Sequence, residues 1–218
     1  MILQRKEKYL QVALNSTLQD AKSIIRQLPI SKRILVEAGT PLIKIYGTEA
    51  ISQIKTLAGP QAYVVADMKT ADLSQREVRM AVEAGASGVV CLGVAPIETI
   101  DLFIKECKET GADSMIDMMN VPDPLVILKK LKTPPDVVIL HRGVDETEFS
   151  KEKKIPYYQI KQIKGNYKIL VAVAGGDTIR EVQSAIFNDA DIVVVWKEFY
   201  QATATTAKLA EDFLKEIK

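Results

Sequence analysis

Asp67, Lys69 and Asp72 stand close together in Asp67-Met68-Lys69-Thr70-Ala71-Asp72, directly after the apolar run Tyr63 to Ala66. On an extended backbone Asp67 and Lys69, two apart, leave the chain on the same side. Acid, base and acid in one confined place shift one another's ionisation and hold the lysine charged. An ammonium so placed can stabilise an enolate or carbanion. Read alone, the cluster is equally a solvated ion-pair loop. His141, the single histidine, ends a different apolar run and has the residue type that carries protons near neutral pH. Asn15, Glu37 and Asp117 end three further runs. Gly175-Gly176-Asp177-Thr178 precedes a helical pattern, where bare backbone and a helix N-terminus suit an anion such as phosphate.

The elements that must position these residues can be read from the apolar pattern. Short runs recur at Leu10 to Leu14, Ile34 to Val36, Tyr63 to Ala66, Gly88 to Leu92, Ser114 to Ile116, Val137 to Leu140, Ile169 to Val173 and Ile192 to Val195. Their spacing leaves room for a helix between each pair. They read as nearly continuous hydrophobics, which marks parallel strands covered on both faces. Ser74 to Ala84, Ile97 to Glu109, Thr178 to Phe187 and Thr203 to Ile217 have amphipathic helical patterns. From Asp145 to Ile163 the charged run Lys151 to Lys154 and Pro156 point to a loop and a short helix. Eight evenly spaced strands form either a closed barrel or an open doubly wound sheet. Polar residues at the C-terminal ends of several different strands favour the (β/α)8 barrel of the triosephosphate isomerase type. No composition break divides the chain, so residues 1–218 are expected to form one such domain.

Composition narrows the function. Hydrophobic residues make up 47% and charged residues 26%, enough for a core and a solvated surface. A net charge of +1 argues against a nucleic-acid partner. Cys91 and Cys107 lack Cys-x-x-Cys spacing and suggest neither a zinc site nor a disulfide framework. No apolar run is long enough to span a membrane, and charges follow closely on the first three residues, so a cytoplasmic protein is expected.

Asp-x-Lys-x-x-Asp after the third strand resembles the signature of the orotidine 5′-phosphate decarboxylase superfamily. Glu37-Ala38-Gly39-Thr40-Pro41-Leu42-Ile43-Lys44 is similar to a segment of its branch of 3-hexulose-6-phosphate synthases and 3-keto-L-gulonate-6-phosphate decarboxylases. Leu92-Gly93-Val94-Ala95, Asp117, His141-Arg142-Gly143-Val144-Asp145 and Ala172-Val173-Ala174-Gly175-Gly176 fit that branch in order along nearly the whole chain. The resemblance implies a magnesium ion held by Glu37 and Asp67, gripping the enediolate of a ketose phosphate. It implies Lys69 beside that intermediate and His141 as the proton carrier. It also implies a homodimer in which Asp72 reaches the partner's site. Asn15, Asp117, Gly175, Gly176, Thr178 and Lys197 are the expected substrate and phosphate contacts.

Within the branch, decarboxylases carry arginine three residues after the histidine. Val144 stands there, which favours the synthase: aldol addition of formaldehyde to ribulose 5-phosphate, or its reverse. Decarboxylation of a keto-sugar-acid phosphate or of orotidine 5′-phosphate is the enzymatic alternative. Two positions depart from the family. Asn15 replaces an aspartate that helps order the lysine, carboxylates and metal. Trp196-Lys197 replaces Gly-Gly or Gly-Arg after the eighth strand. Lys197 can supply positive charge for a phosphate, whereas Trp196 removes a glycine and adds bulk. These departures keep a third reading open, a non-catalytic barrel that binds a ligand or a partner.

Overall fold

The computed structural model describes residues 1–149, 155–176 and 178–217. The charged run 151–154 and Asp177, both part of the sequence reading, lie outside the described residues. The elements in chain order are β1 (Tyr9–Leu14), α1 (Leu18–Ile25), β2 (Ile34–Ala38), α2 (Thr40–Tyr46), α3 (Glu49–Ala58), β3 (Tyr63–Thr70), α4 (Ser74–Glu83), β4 (Gly88–Leu92) and α5 (Ile97–Thr110). They continue with β5 (Asp113–Asp117), α6 (Pro124–Leu128), β6 (Val137–His141), α7 (Val144–Phe149), α8 (Tyr158–Asn166), β7 (Leu170–Ala174), α9 (Ile179–Phe187), β8 (Ile192–Val195) and α10 (Thr206–Glu216). A 3-10 turn, Lys197–Phe199, follows β8. The strands form a closed parallel barrel in the order β1 to β8, with β8 pairing back onto β1. This is the (β/α)8 architecture.

Each strand is buried on both faces, and its two faces have different work. Leu10, Val12 and Leu14 point outward into the layer shared with the helices. Tyr9 and Ala13 point into the barrel. Leu35, Val65, Met115, Ile139 and Val194 are inward residues of five other strands. Because side chains alternate, two residues beyond these stand Glu37, Asp67, Asp117, His141 and Trp196. Two residues beyond Ala13 stands Asn15. The polar ring at the mouth is therefore the top inward layer of the barrel, extended in the same register as the apolar layers below it. At the opposite end Leu3 packs into the inner cluster, and its N–H donates to the buried Asp113 at 3.0 Å.

The observed elements differ from the sequence reading in extent. β3 runs on to Thr70, past the end of its apolar run. Its register to β4 shifts between Ala66↔Val89 and Thr70↔Cys91. That bulge keeps the Asp-x-Lys segment attached to the sheet while bending it toward the mouth. In place of one short helix between β6 and β7, the described residues contain two, α7 and α8. α2 occupies what the sequence showed only as a motif. Pro41 sits in its first turn, where a missing N–H costs nothing. Among the described residues no helix is long and apolar enough to cross a membrane.

Candidate active site

A cavity of about 570 Å³ opens at the C-terminal end of the barrel. Asn15, Glu37, Asp67, Lys69, Asp117, His141, Gly175, Thr178 and Lys197 line it. Thus strands and loops far apart in sequence deliver nearly all of the expected site residues to one chamber. Asp72 and Gly176 do not line it. Asp72 is exposed beyond the end of β3, and a side chain on Gly176 would meet Glu181 and Ile155.

The chamber is organised around Asp117. Its carboxylate is 1% exposed. Oδ2 receives Lys69 Nζ at 2.7 Å and faces His141 Nδ1 at 2.8 Å. Oδ1 accepts the Met119 N–H at 2.9 Å. Burial alone would raise its pKa, but the hydrogen bond and charge of His141, with Lys69, bring it down to about 2. An ionised carboxylate only accepts hydrogen bonds, so Nδ1 of His141 carries the proton, and Nε2 is the ring atom left for a ligand. Burial works against the imidazolium as well. Asp117 outweighs it and holds the His141 pKa above the usual histidine value.

Lys69 spans the two acids. Its Nζ lies 3.0 Å from Asp67 Oδ2 as well as 2.7 Å from Asp117. Burial disfavours the ammonium, but Asp67 and Asp117 more than reverse this and raise the lysine pKa. Lys69 has φ +47°, a left-handed conformation that costs a non-glycine residue free energy. Met68 between the two charged residues packs outward. The bulge of β3 and this strained backbone both contribute to the geometry, so spacing by two is only part of why Asp67 and Lys69 share the chamber.

Glu37 is 6% exposed. Burial pushes its carboxyl up to about 7, and the charge of Asp67 pushes the same way against a hydrogen bond from Gln11. Two carboxylates that repel in a dry place fit a hard divalent cation. Among the described residues no three His, Cys, Asp or Glu side chains converge on one point. Two carboxylates with water completing the shell is an arrangement magnesium accepts. Thr40 Oγ1 lies 2.8 Å from both Asp67 Oδ2 and Asp67 O, and so fixes that carboxylate from α2.

Several contributors escaped the sequence reading. Gln11 sits inside an apolar run, and its only signal is an inward position in register with Ala13 and Asn15. Thr40 was visible in a motif without an assigned role. Arg142 donates to Gly175 O at 2.7 Å and reaches Glu181 Oε1 at 3.3 Å. Glu181 closes a capping box with Thr178 at the start of α9. Lys44 also lines the chamber.

Gly175 has a steric cause besides the phosphate contact expected of it. Gly175 has φ +90°, and a Cβ there would stand 2.2 Å from Arg142 O. The crossing of the β6 and β7 loops therefore demands glycine regardless of any phosphate. Gly175→Ala should destabilise the protein by about 1–3 kcal/mol, read from urea unfolding. Asn15 plays a similar part in Gly39, whose Cβ would overlap Asn15 Oδ1. Trp196 lines the chamber beside β8 and meets Tyr200 edge-on, with ring centroids 5.9 Å apart.

Residues 8–211 match the model of the orotidine 5′-phosphate decarboxylase / HUMPS family. The chain belongs to this family. It is 41% identical over 212 residues to the bifunctional enzyme Fae/Hps of Methanothrix thermoacetophila, covering 96% of this chain and 53% of that one. It is 42% identical over 198 residues to the protein of the same name from Methanocella arvoryzae, covering 89% of this chain and 49% of that one. The chain thus spans about half the length of the curated relatives it matches. Among solved structures it is similar to 3-hexulose-6-phosphate synthase from Salmonella typhimurium, at 29% identity and TM-score 0.86, covering 96% of this chain and 98% of that one. A 3-keto-L-gulonate-6-phosphate decarboxylase from Vibrio cholerae shares the fold at TM-score 0.79 and 21% identity, covering 97% of each chain. The synthase neighbour falls in the branch that the sequence motifs resemble.

Proposed function

We propose that the chamber catalyses a 3-hexulose-6-phosphate synthase-type aldol reaction, joining formaldehyde to ribulose 5-phosphate or running in reverse. The observation that carries this reading is the shared Asp117 Oδ2, which holds a lysine ammonium and a histidine ring over one cavity floor. The histidine supplies a proton carrier, and the ammonium supplies fixed positive charge for an enediolate. Val144 lines the cavity where related decarboxylases carry arginine, which favours aldol chemistry over carbon dioxide release.

In the forward direction neutral His141 takes a proton from C1 of the ketose through Nε2. The electron pair left on C1 is delocalised as an enediolate, whose charge Lys69 balances. C1 then bonds to the carbon of formaldehyde, and the new alkoxide takes the proton back from His141. Glu37 and Asp67 would hold magnesium, which supplies Lewis-acid stabilisation of the negative charge. Asp117 keeps the His141 tautomer and orientation through the step. Lys197 and the loop at Gly175 and Thr178 are the expected contacts for the phosphate end.

Asp72 belongs to this reading as a residue given to a second copy of the chain in a homodimer. Its exposure supports that role, as do the exposed apolar side chains Ile45, Leu73, Met80 and Val94 on the elements following β2, β3 and β4. The reading also keeps the enzyme in the cytoplasm. The test is formaldehyde consumption with ribulose 5-phosphate. It should require Mg2+, cease with a chelator and return when Mg2+ is restored. Turnover unaffected by chelation would remove the metal from the account, and absence of turnover in the folded dimer would remove the aldolase.

A further inference from the structure

Gln11 is the polar exception in an apolar layer of the barrel. It is 1% exposed. Leu35, Val65, Val90, Met115 and Ile139 surround the same interior. Its Nε2 donates to Glu37 Oε2 at 2.5 Å. Its Oε1 is buried and meets no hydrogen-bond partner among the described residues. A buried amide with one half unsatisfied is worse for folding than an apolar side chain of the same shape. Packing therefore gives no reason for glutamine here.

The other half of the amide does give one. Ala13 and Val65, which face Glu37 in the β1–β2 and β2–β3 registers, are apolar and offer its carboxylate no hydrogen bond. Thr40 fixes Asp67, and Met119, Lys69 and His141 fix Asp117. Glu37 receives its side-chain hydrogen bond from Gln11. The cation-binding form of Glu37 is the ionised one, which accepts only, so the amide must turn its NH2 toward it, and this leaves Oε1 facing away. The orphaned oxygen is the consequence of the donor that Glu37 needs.

The structure assigns Gln11 as a positioning residue, one that fixes the Glu37 carboxylate for a divalent cation; the assignment rests on the reading of Glu37 as a metal ligand. By holding Oε2 from below, it leaves the remaining oxygen of Glu37 for the cation. Partners of this kind typically change metal affinity by about ten- to a hundredfold.

Gln11→Met keeps an unbranched side chain of similar length and removes the amide. Mg2+ binding by isothermal titration calorimetry should weaken about tenfold or more, while Tm stays equal or rises. Gln11→Ala guards against overpacking by methionine and should weaken Mg2+ binding to a similar degree. A lower Tm with unchanged Mg2+ affinity in both variants would show a purely structural amide and overturn the assignment alone. A wild-type protein that gives no heat with Mg2+ would overturn it together with the metal reading, so the two failures are distinguishable.

Discussion

Lys69→Met should lower kcat by about 10²–10³-fold while the affinity for the ketose phosphate changes little. The ammonium is the one cation in direct contact with both Asp67 and Asp117 among the described residues, and its charge matters most when negative charge develops on the substrate. Loss of a preorganised charge-stabilising donor costs about 3–4 kcal/mol of transition-state stabilisation, and each ~1.4 kcal/mol is tenfold in rate. The substitution also leaves two acids facing each other without their bridge. Breaking a buried charge pair from one side destabilises by about 3–5 kcal/mol, so the variant should unfold at lower urea concentration. Thermal unfolding and single-turnover rates, measured on the same preparation below its transition, separate the two effects. A Lys69→Met protein with kcat within tenfold of the wild type would mean that the ammonium is only structural.

His141→Gln should cost about 10²–10⁴-fold in kcat, the range for a positioned acid–base group. The pH dependence gives a sharper result. Proton removal from C1 needs neutral His141, so the forward rate should rise with pH through a pKa above the ordinary histidine value. Asp117 is the main group that raises this pKa, with a smaller push from Asp67. In Asp117→Asn only the weaker push of the Asp67 charge opposes burial of the ring, and the His141 pKa falls. The rising limb should therefore move to lower pH, although the maximal rate drops because the ring loses its fixed tautomer. A rising limb that stays where it was in Asp117→Asn would assign it to a group other than His141.

The barrel and the placement of most candidate site residues were legible because alternation is local. Once the apolar runs were recognised as strands, Glu37, Asp67, Asp117 and His141 followed as their inward tops. The resemblance then gave those residues roles. What escaped depends on contacts distant in sequence or on a backbone departure. The positive φ of Lys69 and the bulge of β3 arise from pairing with β4, which no spacing rule records. Gly175 suggested a phosphate cradle, but its steric demand for glycine comes from the carbonyl of Arg142, a residue from another loop. Gln11 was hidden because one polar residue in an apolar run carries no signal until the register gives it an inward place. Thr40 lay in full view within a motif, but its hydroxyl acquired a role only when α2 brought it beside Asp67.

The most direct test of the enediolate chemistry is hydrogen exchange at C1 of ribulose 5-phosphate in deuterated water, with Mg2+ and without formaldehyde, followed by proton NMR. The account predicts that the wild-type protein exchanges one of the two C1 hydrogens, and that exchange falls away in Lys69→Met and His141→Gln. A folded wild-type protein that binds the ketose phosphate yet leaves both C1 hydrogens unexchanged would contradict it.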